Sequence, residues 1–181
     1  MSSDLTDLTG KLLLAHPITR DPNFRHTIVY VAAHDPSEGS LGFVVNRPMG
    51  QKLSDVLPSP EFEPLAGVPV LQGGPVGTDQ LVIARLRWDA VHRELIFQHH
   101  IPVEELDSTD PSGLHGVLAF VGYSGWGKGQ LDAELDADAW VVEKPDGDYA
   151  AATESTWKKW MRRLGPQFQL MAEMPDDPMK N

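Results

Sequence analysis

Short β-type segments follow one another along this chain at spacings that restrict how they can be connected. Residues 11–15, 27–33 and 41–45 are apolar runs, rich in β-branched and aromatic side chains, and turn-forming residues bound them. Two parallel strands need a connection of a dozen or more residues, usually a helix, and the connections here are shorter. This pattern predicts a mixed, largely antiparallel sheet.

The rest of the chain adds strands and a few helices to this sheet. Further β-type runs occupy residues 68–71, 81–86, 94–98, 114–121 and 139–142. Helices are predicted at 53–57 with Ser54 as the cap, at 130–135, and at 153–164 with Gly165 as the stop. The last residues, which are rich in Pro and Asp, are predicted to be frayed. The fold class is therefore α+β, with helices packed on the sheet.

Length and composition are those of an ordinary globular domain. The 181 residues are predicted to form a single domain (1–181), with a small subdomain around residues 50–110. The absence of cysteine excludes disulfides and thiolate metal sites. The first residues lack the pattern of a signal peptide, and no apolar run is long enough to span a membrane, so a cytoplasmic location is expected.

The charge of the chain disfavours nucleic acid as a partner. Fifteen basic against 26 acidic residues give a formal net charge of −11, which repels phosphates unless positive charge is concentrated locally. The dense basic cluster lies on the polar side of the 153–164 helix. It is made of Lys158, Lys159, Arg162 and Arg163. This helix either contacts nucleic acid or docks toward the acidic 131–154 region, and the net charge favours docking.

A glycine-dense segment, GYSGWGKG at 122–129, follows a buried-type strand and is interpreted as a turn that leads into a helix. It matches the first seven places of a phosphate-binding Walker A loop, but Gly129 stands where a Ser or Thr would ligate magnesium. Ser124 lies in the start of a nucleophile elbow, but Trp126 replaces its last glycine. Tight turns and close packing are the favoured role of these glycines.

Seven histidines raise the question of a metal site. His16 and His26 bracket the connection between the first two strands, whereas the adjacent His99 and His100 point to opposite faces of a strand. No established ligand spacing is present. Neither a metal nor any other cofactor is predicted.

Four motifs, in order, resemble the AlgH/YqgE family of bacterial proteins. They are KLLLAHPITRDPNFRHTIVYVAAH, GSLGFVVNRP, LQGGPV, and GYSGWGKGQLDAEL followed by AW. The resemblance runs from about Gly10 to Trp140, and the helix around Trp157 is also similar. It implies a mixed α/β fold, a cytosolic location and a label as a transcriptional regulator, without catalytic residues. Lys128 is outside the family pattern, which weakens the Walker A interpretation further.

The leading hypothesis is a non-catalytic regulatory or binding protein that recognises a small anionic ligand or a protein partner. Its cleft is predicted where three loop-type motifs meet at strand ends. The candidate ligand-binding residues are Asn46, Arg47, Pro48, Gly73, Gly74, Pro75, Ser124, Gly125, Trp126, Gly129 and Gln130. Gly122 and Leu131 belong to the same motifs.

Two alternatives stay open at the level of sequence. One is a hydrolase that uses Ser124 as the nucleophile, with His16, His26 and Asp21 as partners and Arg47 as the substrate-holding group. The other is a transcriptional regulator that binds DNA through the basic helix, which the net charge disfavours. The sequence does not determine the oligomeric state.

Overall fold

Nine strands and four α-helices make up the described part of the chain. The computed structural model describes residues 7–99, 101–102, 105–106, 113–147 and 153–175. The strands are β1 (Leu12–Ala15), β2 (Ile28–Asp35), β3 (Gly39–Val44), β4 (Pro48–Lys52), β5 (Pro69–Gln72), β6 (Val76–Asp89), β7 (Glu94–Gln98), β8 (Val117–Gly127) and β9 (Trp140–Glu143). The helices are α1 (Leu53–Val56), a 3-10 helix (Pro60–Leu65), α2 (Gln130–Asp136), α3 (Glu154–Leu164) and α4 (Pro166–Glu173).

Strand β8 joins the two parts of the sheet. Its first half pairs with β5 in parallel and with β6 antiparallel, while its second half pairs antiparallel with β3. From β3 the sheet continues through β2 and β1 to β9, and β4 and β7 pair with β5 and β6. The only parallel pair recorded among the described strands is β5 with β8. The predicted α+β class, with a mixed and largely antiparallel sheet, is confirmed.

Apolar side chains cover both faces of the sheet. One cluster lies between the sheet and helices α3 and α4, and it includes Trp157, Trp160 and Met161. A second cluster, beneath α2, contains Trp126 and Trp140. The spacing of the apolar residues in α3 predicted its buried face correctly, since Trp157 and Met161 are fully buried.

The glycine-dense segment 122–129 was predicted to be a turn, and this prediction is wrong, because most of the segment is strand. Strand β8 continues to Gly127, and α2 begins after Gly129, which has the left-handed φ of 71°. Gly122 also has a left-handed φ, 69°, at the point where β8 changes its pairing from β5 and β6 to β3. A glycine lets a strand bend at such a point without ending, which the sequence pattern alone did not reveal.

One further prediction of local structure is wrong, and two elements were not predicted. The cap of α1 is Lys52, whose backbone N–H donates to the Asp55 carboxylate at 2.9 Å, and Ser54 lies inside the helix. Residues 48–52 form an edge strand, where proline is tolerated at the first position. The chain after Gly165 forms α4, which Pro166 begins and the buried Ala172 anchors. No described helix has the length and apolar character needed to cross a membrane.

Candidate functional site

The end of β3 is fixed to the start of β2 by a buried amide. Asn46 is 1% exposed, and its side chain accepts a hydrogen bond from the backbone N–H of Ile28 at 2.8 Å. The same amide donates to the backbone carbonyl of His26 at 2.9 Å. A buried amide satisfied on both sides positions the chain at this point and holds the backbone of His26 in place.

The guanidinium group of Arg47 holds the β1–β2 loop. It donates to the backbone carbonyls of Pro22, Asn23 and Arg25 at 3.1, 2.6 and 2.9 Å. The planar group with its five donors suits such a set of acceptors. Arg47 therefore orders the loop and at the same time brings a permanent positive charge to it.

His26 occupies an unusual conformation at the end of this loop. Its φ is 58°, in the left-handed region, and its ring stacks on Trp157 with 4.2 Å between ring centroids and 29° between planes. Trp157 is fully buried and its indole N–H donates to the carbonyl of Ala15 at 2.9 Å, so the stacking surface is rigid. The imidazole is thus held at a defined place between the loop and α3.

The electrostatic environment of His26 is positive. Partial burial lowers the pKa of His26 below its ordinary value of 6.5, because the charged imidazolium loses solvation. The positive charges of Arg25, Lys158 and Arg47 lower this pKa further, in that order. Three cationic side chains therefore converge on one neutral imidazole in a protein whose formal net charge is −11.

These residues line an open cleft of about 400 Å³, which we call the basic cleft. It lies between the β1–β2 loop, the end of β3 and the first turns of α3. Its lining residues are Arg25, His26, Asn46, Arg47, Ser155 and Lys158. Lys158 is exposed, and the Ser155 hydroxyl lies in the first turn of α3, where the helix dipole adds positive potential.

The second predicted motif is packed against the sheet. A Cβ atom on Gly73 would lie 2.3 Å from the carbonyl oxygen of Gly122, and one on Gly74 would lie 2.2 Å from the backbone of Tyr123. The backbone of this motif also adjoins the first motif, because the Gln72 N–H donates to the Arg47 carbonyl at 2.9 Å. Gly73 and Gly74 thus allow a close approach of backbones, and the exposed Pro75 follows them.

The third predicted motif surrounds a shared carboxylate. One oxygen of Glu134 accepts hydrogen bonds from the indole N–H groups of Trp126 and Trp140, at 2.9 and 2.8 Å. The other oxygen accepts from the side chain of Gln130 at 3.1 Å. Gln130 also accepts a bond from the backbone N–H of Gly127. This network fastens α2 to β8 and β9.

The remaining residues of the third motif serve the same region. Gly125 lies within β8, where it pairs with Leu41 of β3, and a Cβ atom there would lie 3.2 Å from the ring of Tyr123. Gly129 supplies the left-handed residue before α2. Of the predicted site residues, the structure therefore brings Asn46 and Arg47 into the basic cleft, and the glycines, Trp126 and Gln130 have places in packing or in the Glu134 network.

The hydrolase arrangement does not form around Ser124. The side chain of Ser124 is fully buried and its hydroxyl donates to the carbonyl of Gly73 at 3.1 Å. His16 contacts the ring of Phe168 edge-on at 5.6 Å, and Asp21 accepts a turn bond from the N–H of Asn23. Among the described residues, no hydrogen bond joins Ser124 to either histidine. A nucleophile needs its base within about 3 Å.

A group of three possible metal ligands lies away from the cleft, at the β6–β7 hairpin. Ligand atoms of Asp89, His92 and Glu94 lie within 4.8 Å of one another. The His92 ring and two backbone N–H groups already hydrogen-bond the Asp89 carboxylate, which lowers the pKa of Asp89 to about 2. His92 and Glu94 are exposed. The hydrogen bonds of the hairpin turn therefore explain why these three side chains lie close together.

Four residues of the basic cleft were absent from the predicted ligand-binding residues. Arg25 and His26 lie within the first family motif, but only His26 was considered, as a partner in the hydrolase alternative; Ser155 carries no motif signal. Lys158 was identified as part of a basic helix face, but nothing in the sequence indicates that this face meets the end of β3. The contact depends on how α3 packs across β1, which is a tertiary property.

The fold and the site thus define an α+β protein with a charged cleft at one end of its mixed sheet. The AlgH-like family model matches residues 12–169, and the chain belongs to this family. A UPF0301 protein from Streptomyces avermitilis is 39% identical, over 99% of this chain and 98% of that protein. A UPF0301 protein from Rhodococcus jostii is 37% identical, over 95% of this chain and 90% of that protein.

Two solved structures are similar over nearly the whole chain. The solution structure of the AlgH protein from Pseudomonas aeruginosa is 28% identical with a TM-score of 0.66, and the match covers 98% of this chain and 99% of that one. A crystal structure of a protein from Corynebacterium diphtheriae has a TM-score of 0.70 at 20% identity, covering 96% and 95% of the two chains, and shows the fold alone.

Proposed function

We propose that this protein is a non-catalytic binding protein that recognises an anionic group in the basic cleft. The observation that carries the proposal is that Arg25, Arg47 and Lys158 line one cleft together with His26. Burial and the charges of these three cations lower the pKa of the imidazole. Like charges gathered at one place repel one another, and a bound anion would relieve this repulsion. The cleft is therefore electrostatically suited to an anion despite the acidity of the whole chain.

The cleft residues have different parts in this recognition. Arg47 is engaged with three loop carbonyls, so it supplies charge and rigidity more than direct contacts. Lys158 and Ser155 are exposed and supply direct donors. The neutral imidazole of His26 offers one N–H donor and gains a charge when it is protonated. A carboxylate or a phosphate is the kind of group that such donors bind.

The absence of an arranged nucleophile favours binding over catalysis. The Ser124 hydroxyl is committed to the Gly73 carbonyl, and the cleft itself holds Ser155 as its one hydroxyl among the described lining residues. Ser155 bonds the hydroxyl of Thr153 at 2.9 Å, so its described partner is another neutral hydroxyl and not a base.

The proposal is tested by isothermal titration calorimetry with inorganic pyrophosphate and with citrate as probes. Lys158→Ala is compared with Lys159→Ala, because both lysines are exposed on α3 and only Lys158 lines the cleft. We expect Lys158→Ala to weaken binding about tenfold, the effect of one charge-assisted hydrogen bond, and Lys159→Ala to change it less than about twofold. Equal losses in both variants, or no binding of either probe to the wild type, would overturn the proposal.

A further inference from the structure

A second pocket adjoins the basic cleft and differs from it in character. This pocket, of about 300 Å³, lies between the β1–β2 loop and the end of α4. Its apolar lining consists of Pro17, Ile18, Met171, Met174 and Pro175. We call it the methionine pocket. Ile18 is 65% exposed and Met174 is 62% exposed, so the apolar lining is accessible to a partner.

The methionine pocket and the basic cleft meet at one shared lining residue. Arg25 lines both of them, and Arg20 adds a further exposed cation to the methionine pocket. An apolar depression beside several cations is complementary to a molecule that carries apolar and acidic groups side by side. Neither half of the surface alone has this combination.

The side chains of the methionine pocket suit a protein partner. Methionine has three rotatable bonds and a polarizable sulfur, so it adapts to the apolar side chains of a docked segment. Arginine is enriched among the residues that dominate interfaces, and two arginines line this pocket. The apolar lining of the pocket is interrupted by Thr19 and the two arginines, which offer polar contacts to a peptide.

We propose that this surface binds an acidic peptide segment of a partner protein, with an aliphatic side chain in the methionine pocket and a carboxylate in the basic cleft. This inference rests on the proposed function of the basic cleft and specifies its ligand. The partner is recognised by the pairing of an acidic with an aliphatic residue, and not by charge alone. The chain then acts as a docking module for acidic, partly apolar segments.

The test uses the full chain and three short fluorescent peptides. One alternates glutamate with leucine, one alternates glutamate with serine, and one alternates leucine with serine. We expect fluorescence anisotropy to show the glutamate–leucine peptide binding about tenfold more tightly than either of the others. Equal binding of the glutamate–leucine and glutamate–serine peptides would overturn the inference.

Matched substitutions locate the binding on the protein. Ile18→Ser is compared with Val91→Ser, since both are exposed β-branched residues in loops and only Ile18 lines the methionine pocket. We expect Ile18→Ser to weaken the glutamate–leucine peptide about tenfold and to leave pyrophosphate binding unchanged. Val91→Ser is expected to change neither. An equal effect of the two substitutions on the peptide would overturn the inference.

The two proposals fail in different ways. If pyrophosphate binds in a Lys158-dependent manner but the glutamate–leucine peptide shows no advantage, the inference is wrong and the proposed function stands. If neither pyrophosphate nor citrate binds, the proposed function itself is wrong. Binding of the leucine–serine peptide as tight as that of the glutamate–leucine peptide would show an apolar surface without acidic selectivity, which also overturns the inference.

Discussion

His26 connects the electrostatics of the basic cleft to measurable titration. Its ring is packed on Trp157 and faces the cations Arg25, Arg47 and Lys158, and its pKa lies below 6.5 for these reasons, burial first. The sequence showed a histidine at the start of a strand and offered no reason to expect a depressed pKa. The shift arises first from burial and then from three cations, of which Arg25 is the chain neighbour of His26, whereas Lys158 and Arg47 meet it only in the fold.

Removal of one cation should raise the pKa of His26. In Lys158→Ala the repulsion of the imidazolium decreases, so we expect the pKa of His26 to move upward toward its ordinary value. Lys159→Ala, which removes the same charge one residue away, should have a smaller effect. NMR titration of the histidine ring protons measures both. An unchanged pKa in Lys158→Ala would contradict the described charge arrangement.

The depressed pKa of His26 also predicts a pH dependence of stability. The unfolded chain binds a proton near pH 6.5 and the folded chain binds it only at lower pH, so the unfolded state holds more protons between these values. The stability that neutral His26 contributes is therefore complete above about 6.5 and is lost as the pH falls through the folded-state pKa. His26→Asn, which tolerates the left-handed φ, should flatten the stability–pH profile there.

A control for this profile is His92. Its pKa is raised by hydrogen bonding to Asp89, so its contribution has the opposite sign and is lost as the pH rises through the folded-state value. Urea denaturation between about pH 5 and pH 8 gives the slopes for His26→Asn and for the control variant His92→Asn. A steeper profile in His26→Asn would contradict the assignment.

At the scale of elements, the Glu134 network decides how α2 is attached. Trp126 and Trp140 are 4% and 6% exposed, so their indole N–H groups need an acceptor inside the protein. We expect Glu134→Ala to lower the free energy of unfolding by about 2 kcal/mol, because two buried donors lose their charged acceptor. Asp132→Ala, an exposed carboxylate on the same helix, should change it by less than about 0.5 kcal/mol.

Alanine substitutions should distinguish the motif glycines that lie against neighbouring backbone from those that have open space around them, by their effect on the free energy of unfolding. Gly74→Ala would place a Cβ atom 2.2 Å from the backbone of Tyr123, and we expect a loss of about 3 kcal/mol. Gly129→Ala meets nothing within 4 Å but keeps φ at 71°, which costs about 1 kcal/mol. Gly127→Ala has open space and should be nearly neutral. Similar losses in all three would contradict the packing role.

The helices and strands that depend on local sequence signals were predicted, whereas those that depend on tertiary contacts were missed. The apolar face of α3, the β2–β3 hairpin and the antiparallel sheet were predicted from the sequence, because periodicity and β-branched runs are local signals. The continuation of β8 through Gly122–Gly127 was missed, because glycines that allow backbones to cross closely look the same in a sequence as glycines that turn. Helix α4 was missed because its buried Ala172 and Phe168 contacts are tertiary.

At the scale of the whole molecule, the local distribution of charge determines where an anion can bind, although the net charge of the chain is negative. The sequence-based hypothesis was a small anionic ligand or a protein partner, and two of the residues that it named, Asn46 and Arg47, line the basic cleft. The same hypothesis included the glycine motifs, whose glycines are explained by close backbone packing. A distinctive motif in one sequence can result either from packing or from ligand binding, and the sequence alone does not distinguish the two.

The basic helix face does not act as one surface. Arg163 contacts Asp146 and stacks on the ring of Trp160 at 4.5 Å, which agrees with docking toward the acidic region, whereas Lys158 lines the cleft. With a net charge of −11, we expect no complex with duplex DNA in a gel-shift assay at about 0.15 M salt. A complex that weakens steeply with salt would contradict this expectation.

The most direct test of an anion site in the basic cleft is the pKa of His26 measured by NMR with and without pyrophosphate. An anion beside Lys158 and Arg25 offsets their charge and favours the imidazolium, so saturating pyrophosphate should raise the pKa of His26. The exposed His92 should be unaffected. A His26 pKa that stays the same while pyrophosphate binds would place the anion elsewhere and contradict the account.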